Sequence, residues 1–467
     1  MQADTRMLEF RPITLTDRAR IEHYTMQRGL YNCDLSFANI YCWRHFYSTA
    51  WAEVEGFLVI RFQIDGGSAT GYMQPIGEGD FGRVIGRLMQ EAEATNEPLR
   101  LIGLNDEAKQ ALQEGFPEQF IFDDNRATHD YLYRREDLSR LQGKNYQPKR
   151  NHINRFVGNY PDYRYEPLTE ANIAECIRLE QEWCRHRNGC TGEGLSAEHT
   201  AIHEAFAHFE ALGLQGGCIY VGDQLVAFTY GSALNDHTFD IHVEKADTRY
   251  EGAFTIINRR FAEQLDERFT LLNREEDLGL EGLRKAKLSY YPAFLQPKHR
   301  AEIPTQHQSA CRALWRTCFP QDEESFIEQF LIRHYRDEQM ITHEEEGRVV
   351  AMLHTIPFST AWGAMRYIYG VATLPEYRGR GYATQLLHRA IELSRTAGDT
   401  ALFLIPATEQ LRTLYDREGF TGDHPVHFTT GDDFDFGTGF TERDRAMFYW
   451  LGEPQELPES LHADLIR

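Results

Sequence analysis

The sequence predicts a mixed α/β (α+β) protein built as three units in tandem, on three observations. The chain has 467 residues, more than one ordinary core organises, and that length corresponds to about three domains. With 42% hydrophobic and 12% aromatic residues it can bury sizeable cores, which separates it from disordered chains. A strand, strand, loop, helix order also occurs twice with similar spacing, the mark of one fold used again.

The first unit is read as residues 1–143. Its run Phe57-Leu-Val-Ile-Arg-Phe62 is strand-like and ends on the turn Asp65-Gly66-Gly67. Residues 82–94 read as a helix with Val84, Ile85, Leu88 and Met89 on one face. A polar stretch, 134–143, leads to the second unit, 144–302. There residues 223–228 and 237–243 read as strands, and Arg249-Tyr-Glu-Gly-Ala-Phe254 opens a helix. The third unit, 303–455, repeats that order. Residues 347–352 and 366–372 are its strands, and Arg378-Gly-Arg-Gly-Tyr-Ala383 opens its helix. Residues 456–467 read as a polar tail.

Composition narrows the function. A formal net charge of −22 repels a nucleic-acid duplex at long range, although a local basic face remains compatible with it. The first ten residues hold no apolar signal-peptide core, and no run of about 18 apolar residues predicts a membrane span. The eight cysteines (33, 42, 176, 184, 190, 218, 311, 318) form no CxxC pair. A soluble cytoplasmic protein with reduced thiols is the expectation.

The strongest chemical signal is Val371-Ala-Thr-Leu-Pro-Glu-Tyr-Arg-Gly-Arg-Gly-Tyr-Ala-Thr384. It joins a strand to a helix whose Ala383, Leu386, Leu387, Ala390 and Ser394 keep the spacing of a buried stripe. Gly379 and Gly381 remove side chains where the backbone turns into that helix. Free N–H groups and the positive end of the helix dipole can then approach an anion. Arg378 and Arg380 add positive charge at the same point, and a pyrophosphate is the natural guest.

This R-x-x-G-x-A arrangement resembles the acetyl-CoA signature of the GNAT superfamily. Residues 400–405 read as the next strand, and Leu411-Arg-Thr-Leu-Tyr-Asp-Arg-Glu-Gly-Phe420 looks like the family's L-Y-x-x-x-G-F helix and turn. The resemblance implies the acyl-CoA N-acyltransferase fold and acetyl-CoA as cofactor. It implies that backbone groups at Val371, Ala372 and Thr373 pair with the pantetheine arm. The amides of Arg378, Gly379, Arg380, Gly381, Tyr382, Ala383 and Thr384 would cradle the pyrophosphate. Tyr415 would protonate the departing thiolate. Thr408 stands where many members carry Asn, which questions its contact to the cofactor. His354 and Glu376 are candidates for the general base by position. No cysteine sits in a nucleophile setting, so direct attack by the amine is expected.

The matching loop of the second unit departs from that pattern. Glu251 replaces a basic residue and Phe254 a small one, so this unit is expected to keep the GNAT-like fold and lose its CoA site. Two further segments stand out. Residues 143–156 hold Lys149 and Arg150 among four basic residues with no acid. Residues 273–292 begin with Asn273, Arg274, Glu275 and Glu276 and become basic through Arg284, Lys285 and Lys287. Over about residues 8–300 these features resemble the DUF2156 family, similar to the C-terminal domain of phosphatidylglycerol lysyltransferases. The resemblance implies two GNAT-like lobes facing each other across a tunnel, one receiving an aminoacyl-tRNA and the other the acceptor. The membrane flippase region of those relatives has no counterpart here. The basic runs fit either tRNA phosphates or solvated helix faces, and the residues 273–276 fit either a polar site or a surface turn.

Cys184, His186, Cys190, His199 and His203 raise the question of zinc, but no pair matches a finger spacing, so no metal is expected. The reading is therefore three GNAT-like units. The third transfers acetyl from acetyl-CoA to a primary amine of a small molecule or peptide. One alternative is an aminoacyl-tRNA-dependent aminoacyltransferase with an accessory GNAT domain. Another is a non-catalytic N-terminal module that presents substrate to the third unit.

Overall fold

A computed structural model describes residues 7–27, 29–186, 193–431, 434–436, 445–456 and 460–466. The chain divides into two compact units, one of residues 1–117 and 125–301 and one of 118–124 and 302–467.

The first unit holds two sheets. One runs in the order Arg11–Pro12, Ala50–Val54, Phe57–Ile64, Ala69–Met73, Arg100–Leu104, His299–Glu302. The other runs Phe294–Gln296, Asp130–Arg134, Leu271–Asn273, Thr238–Ala246, Gln224–Ala233, Gln215–Val221, Arg164–Pro167. Only Thr238–Ala246 and Leu271–Asn273 are paired in parallel there. The strand Asp130–Arg134, expected within the first unit of residues 1–143, belongs to the second sheet. Its Tyr131, Leu132 and Tyr133 are fully buried. It hydrogen-bonds neighbours on both sides, which an edge of the first sheet could not offer. In exchange, His299–Glu302 returns to the first sheet.

The second unit holds one sheet in the order Met340–Glu345, Arg348–Thr360, Gly363–Thr373, Ala401–Leu404, Arg445–Trp450, Thr421–Thr429, Leu461–Leu465. The residues expected to form a polar tail thus include a strand. Leu461–Leu465 pairs in parallel with Thr421–Thr429 and antiparallel with Arg348–Thr360. The alternation of buried Leu461 and Ala463 with exposed His462 and Asp464 is a period-2 pattern that the flanking prolines and acids disguise. Trp315, Phe330, Phe358, Phe403 and Phe420 are fully buried in its core. The helix Gln306–Cys318 begins with a capping box, in which Thr305 accepts from the Gln308 amide and Gln308 from the Thr305 amide.

Residues 118–124 are built into this second unit. Ile121 lies in its core, and Glu328 accepts from the Phe122 amide at 3.0 Å. Arg333 on the helix Glu324–Arg333 donates through Nε to both oxygens of Asp123 at 2.9 Å.

Two departures from regular pairing shape the middle of this sheet. Met352 opposes Ala372 while His354 opposes Tyr369, so Gly363–Thr373 carries one extra residue, a β-bulge. Gly370, at φ +61°, supplies the left-handed conformation the bulge requires. On its other side the same strand pairs with Ala401–Leu404 only at Met365, Arg366 and Tyr367. Beyond Tyr367 the two strands part.

Candidate functional site

In the second unit, among the described residues, the strand end from Ile368 to Thr373 has ladder pairing on the Arg348–Thr360 side only. Its other edge offers unpaired backbone groups, which an extended chain can join as an added strand. Val371 and Thr373, on this edge, are half-buried and Ala372 is buried. The Thr373 carbonyl already accepts from Arg378 Nε at 3.1 Å.

The chain next makes a single 3-10 turn, Pro375–Tyr377, and enters the helix Tyr382–Ala397. Gly379 and Gly381 take φ +78° and +80°, and Gly381 caps the helix without a side chain. A Cβ at either glycine meets nothing within 4 Å. The N–H groups of Tyr382, Ala383 and Thr384 have no acceptor within the helix because they lie in its first turn. A concave, positively polarised cradle follows, with Arg380 held over the Tyr377 ring at 4.8 Å. Thr384 Oγ1 donates to Glu418 Oε1 at 3.0 Å and ties this helix to the end of Glu409–Arg417. Residues Val371 to Thr384 thus form one strand edge followed by a glycine-lined turn into the helix Tyr382–Ala397.

Tyr415 lies on Glu409–Arg417 and is 5% exposed. Burial pushes its hydroxyl up to about 12, so it carries its proton at neutral pH and can serve as a donor. Thr408 has other work: it is the N-cap of that helix and its side chain accepts from the Leu411 amide at 3.3 Å.

The two base candidates differ sharply. His354 is 1% exposed among Trp315, Phe330 and Tyr335, and no side chain hydrogen-bonds either ring nitrogen. Burial lowers its pKa to about 3, so the ring stays neutral and lacks the basicity to collect a proton near pH 7. As a base it is corrected to a core histidine. Glu376 is exposed in the 3-10 turn, with Arg348 Nη1 at 3.4 Å.

The equivalent loop in the first unit is closed. Gly252, at φ +93°, caps the helix Ala253–Gln264. A Cβ there would lie 2.6 Å from the His152 carbonyl oxygen and 3.0 Å from Phe156 Cβ. The helix Gln147–Asn159 thus covers this loop, and Arg155 on it pairs with Glu251. Phe254, expected to crowd the cradle, is exposed instead; the covering helix does the blocking.

That helix and Glu281–Leu288 also account for the basic runs. Lys149 donates to Ser289 Oγ at 2.7 Å and lies 3.7 Å from the Tyr290 ring centre, with burial lowering its pKa to about 8. Arg150 donates to the carbonyls of Leu141 and Gly143. Arg284 Nε donates to Asp277 at 2.9 Å, and Lys287 to the carbonyls of Arg274 and Glu275. Lys285 alone of these five is exposed. The other four are half-buried and hydrogen-bond neighbouring loops.

Lys287 alone of them reaches residues 274–275, which border a buried polar centre that sequence reasoning only touched at residues 273–276. Lys298 Nζ, with its side chain 5% exposed, lies 2.9 Å from Asp130, 3.0 Å from Asp34, 3.1 Å from Glu276 and 3.5 Å from Cys33 Sγ. Burial alone would lower the Lys298 pKa, but Asp130 and Asp34 outweigh it and hold the ammonium charged. Asn273 donates to Asp130 at 3.0 Å and to the Tyr31 carbonyl at 2.7 Å. Arg274 Nη2 donates to Glu244 at 3.1 Å. Glu275 accepts from Asn39 at 3.0 Å and lies 3.2 Å from His242 Nδ1, whose other nitrogen is 2.9 Å from Ser232 Oγ. Asp240 is 0% exposed and neither of its oxygens has a hydrogen-bond partner among the described residues. Burial, then the charge of Glu275, raises its pKa well above the carboxylate range. Carboxyls outnumber ammonium groups here, so the centre favours an added cation.

Of the metal question, Cys190 and the side chains of Cys184 and His186 lie outside the described residues. His199 and His203 share a helix face and approach Glu180. No described helix is long and apolar enough to cross a membrane.

Comparison with known proteins follows the same division of the chain. The family model described as phosphatidylglycerol lysyltransferase, C-terminal, matches residues 26–302, and that of an acetyltransferase (GNAT) domain matches residues 302–421. A solved conserved protein of unknown function from Bacteroides thetaiotaomicron VPI-5482 is 45% identical, with a TM-score of 0.62. That match covers 64% of this chain and 100% of the other. The structure of L-PGS from Bacillus licheniformis is 15% identical over 63% of this chain and 93% of its own, with a TM-score of 0.45. The uncharacterized protein MYCGA3080 of Mycoplasmoides gallisepticum is 24% identical over 181 residues. That alignment covers 38% of this chain and spans 58% of the curated relative's length.

Proposed function

Because the chain belongs to the phosphatidylglycerol lysyltransferase C-terminal family and continues into a GNAT acyltransferase domain, we propose that its second unit moves acetyl from acetyl-CoA to a primary amine. The observation that carries this is the open cradle at Gly379–Thr384, set at the end of a strand whose neighbour has parted from it. When bound, acetyl-CoA supplies the acetyl group as an activated thioester. The amides of residues 378–384 hold the pyrophosphate, and the free edge at Val371–Thr373 aligns the pantetheine arm. The Tyr415 hydroxyl, protonated at neutral pH, gives its proton to the leaving sulfur. Of the two base candidates, Glu376 is the one whose carboxylate can exchange a proton with the amine through water. The amine itself is a small-molecule or peptide primary amine.

The test is calorimetric titration of the full-length chain with acetyl-CoA, followed by thiol release with a panel of amines. Gly381→Glu puts a carboxylate into the cradle and is expected to abolish binding; unchanged affinity would remove the site. Tyr415→Phe is expected to slow thiol release at least tenfold, with acetyl-CoA affinity within about twofold of the parent. Parental turnover in that variant would take Tyr415 out of the reaction.

A second reading is supported by the Lys298 centre. Its surplus of buried carboxyls, including Asp240 with only His242 Nδ1 beside it at 3.4 Å among the described residues, suits the ammonium of an aminoacyl group and so an aminoacyl-tRNA donor in the first unit. Loss of radiolabelled aminoacyl from tRNA, dependent on Asp240, would favour it. A chain that leaves aminoacyl-tRNA intact would return the first unit to the role of a binding module.

A further inference from the structure

A side-chain group outside both centres has the composition of a metal site. Glu180 projects from the helix Ile173–His186, and His199 and His203 lie one turn apart on the helix Glu193–Ala207. One ligand atom from each of the three falls within 4.8 Å of the others. Glu180 is 2% exposed, an unusual burial for a carboxylate, and its Oε2 lies 2.9 Å from His199 Nδ1. The two imidazoles stand 4.4 Å apart, edge to face.

A carboxylate–histidine pair bracing two helices would explain Glu180 and His199. It leaves His203 unexplained: its Nε2 is shielded from water and has no hydrogen-bond partner among the described residues. A buried ring nitrogen without a partner costs about 1–3 kcal/mol, and an ion is one of the few things that satisfies it.

We propose that Glu180, His199 and His203 bind one divalent transition-metal ion of the zinc class. Two imidazoles and a carboxylate are a borderline donor set that favours zinc over calcium or magnesium, which take oxygen ligands. Small side-chain rotations bring the three atoms to the roughly 2.0–2.2 Å that zinc requires. The His199 side chain is 37% exposed, so the fourth position opens to solvent and takes water. Bound there, the ion clamps the helix Ile173–His186 to the helix Glu193–Ala207 and supplies a Lewis acid at the surface of the first unit.

The experiment is equilibrium dialysis of the full-length chain against zinc chloride after EDTA treatment, with metal counted by atomic emission. One equivalent should be retained. His203→Ala should weaken binding by more than about 100-fold, the ceiling for loss of mere supporting residues. His199→Gln is the second variant, should the first fail to fold by circular dichroism. Cobalt in place of zinc should give ligand-field bands without the intense thiolate charge-transfer band. Zinc retained by either folded variant, a thiolate band, or no zinc bound by the parent chain would each overturn the site.

Discussion

His354 enters the folded state without its proton. Its pKa falls from the ordinary 6.5 to about 3 because burial among Trp315, Phe330 and Tyr335 disfavours the charged ring. Between those values the unfolded chain binds a proton that the folded chain refuses. Stability is therefore complete above pH 6.5 and drains as pH falls toward 3, by up to about 1.4 kcal/mol per unit. His354→Phe removes this linkage. Denaturant unfolding at pH 7 and pH 5 should find the parent losing about 2 kcal/mol more than the variant; equal losses would mean that the ring is not the group responsible. The same scale explains what the sequence could disclose. Gly379, Gly381 and Tyr415 sit in short contiguous motifs whose chemistry is local. Cys33, Asp130, Asp240 and Lys298 carry no local signal, because a lone Asp on a strand gains meaning only when the fold closes around it. His354 misled for the same reason: position on a strand says nothing of the aromatic cage that neutralises it.

The loops that open the helices Ala253–Gln264 and Tyr382–Ala397 share a left-handed capping glycine and differ in what faces it. Gly252 is pressed against the helix Gln147–Asn159, whereas Gly381 faces open space. Alanine at 381 costs only the left-handed strain, about 1–2 kcal/mol. Alanine at 252 adds a backbone clash at 2.6 Å with the His152 carbonyl. Denaturant titration should therefore find Gly252→Ala the more destabilising of the two by at least about 1 kcal/mol. Comparable losses would mean the covering helix yields and the first loop is not closed. The sequence disclosed that this loop had changed, through Glu251, but not how. The blocking element comes from about a hundred residues earlier in the chain, where the sequence shows only a basic run, and only packing reveals that the run covers the loop with hydrogen-bonded side chains.

For the whole molecule, two compact units predict two unfolding transitions, one for each core. Acetyl-CoA at about 100 times its Kd should raise one of them by about 2.7 kcal/mol and leave the other where it was. Gly381→Glu should cancel that shift. A ligand-induced rise in both transitions would refute the assignment of acetyl-CoA to the second unit alone. Although the chain divides into two compact units rather than the three expected, the mixed α/β class was legible from the alternating strand and helix patterns. The borders were not, because the strands Asp130–Arg134 and His299–Glu302 are each assigned by hydrogen-bond partners far away in sequence.

Residues 118–124 give this architecture an unusual genetic consequence. A single junction at residue 302 would not transplant the C-terminal enzyme as a cassette. Arg333 would leave Asp123 behind, and Glu328 would lose the Phe122 amide while keeping its buried charge beside Arg312. The portable form needs two lengths of chain, one of them embedded in its neighbour's reading frame, so recombination between relatives must carry both or find a substitute for the missing seven residues.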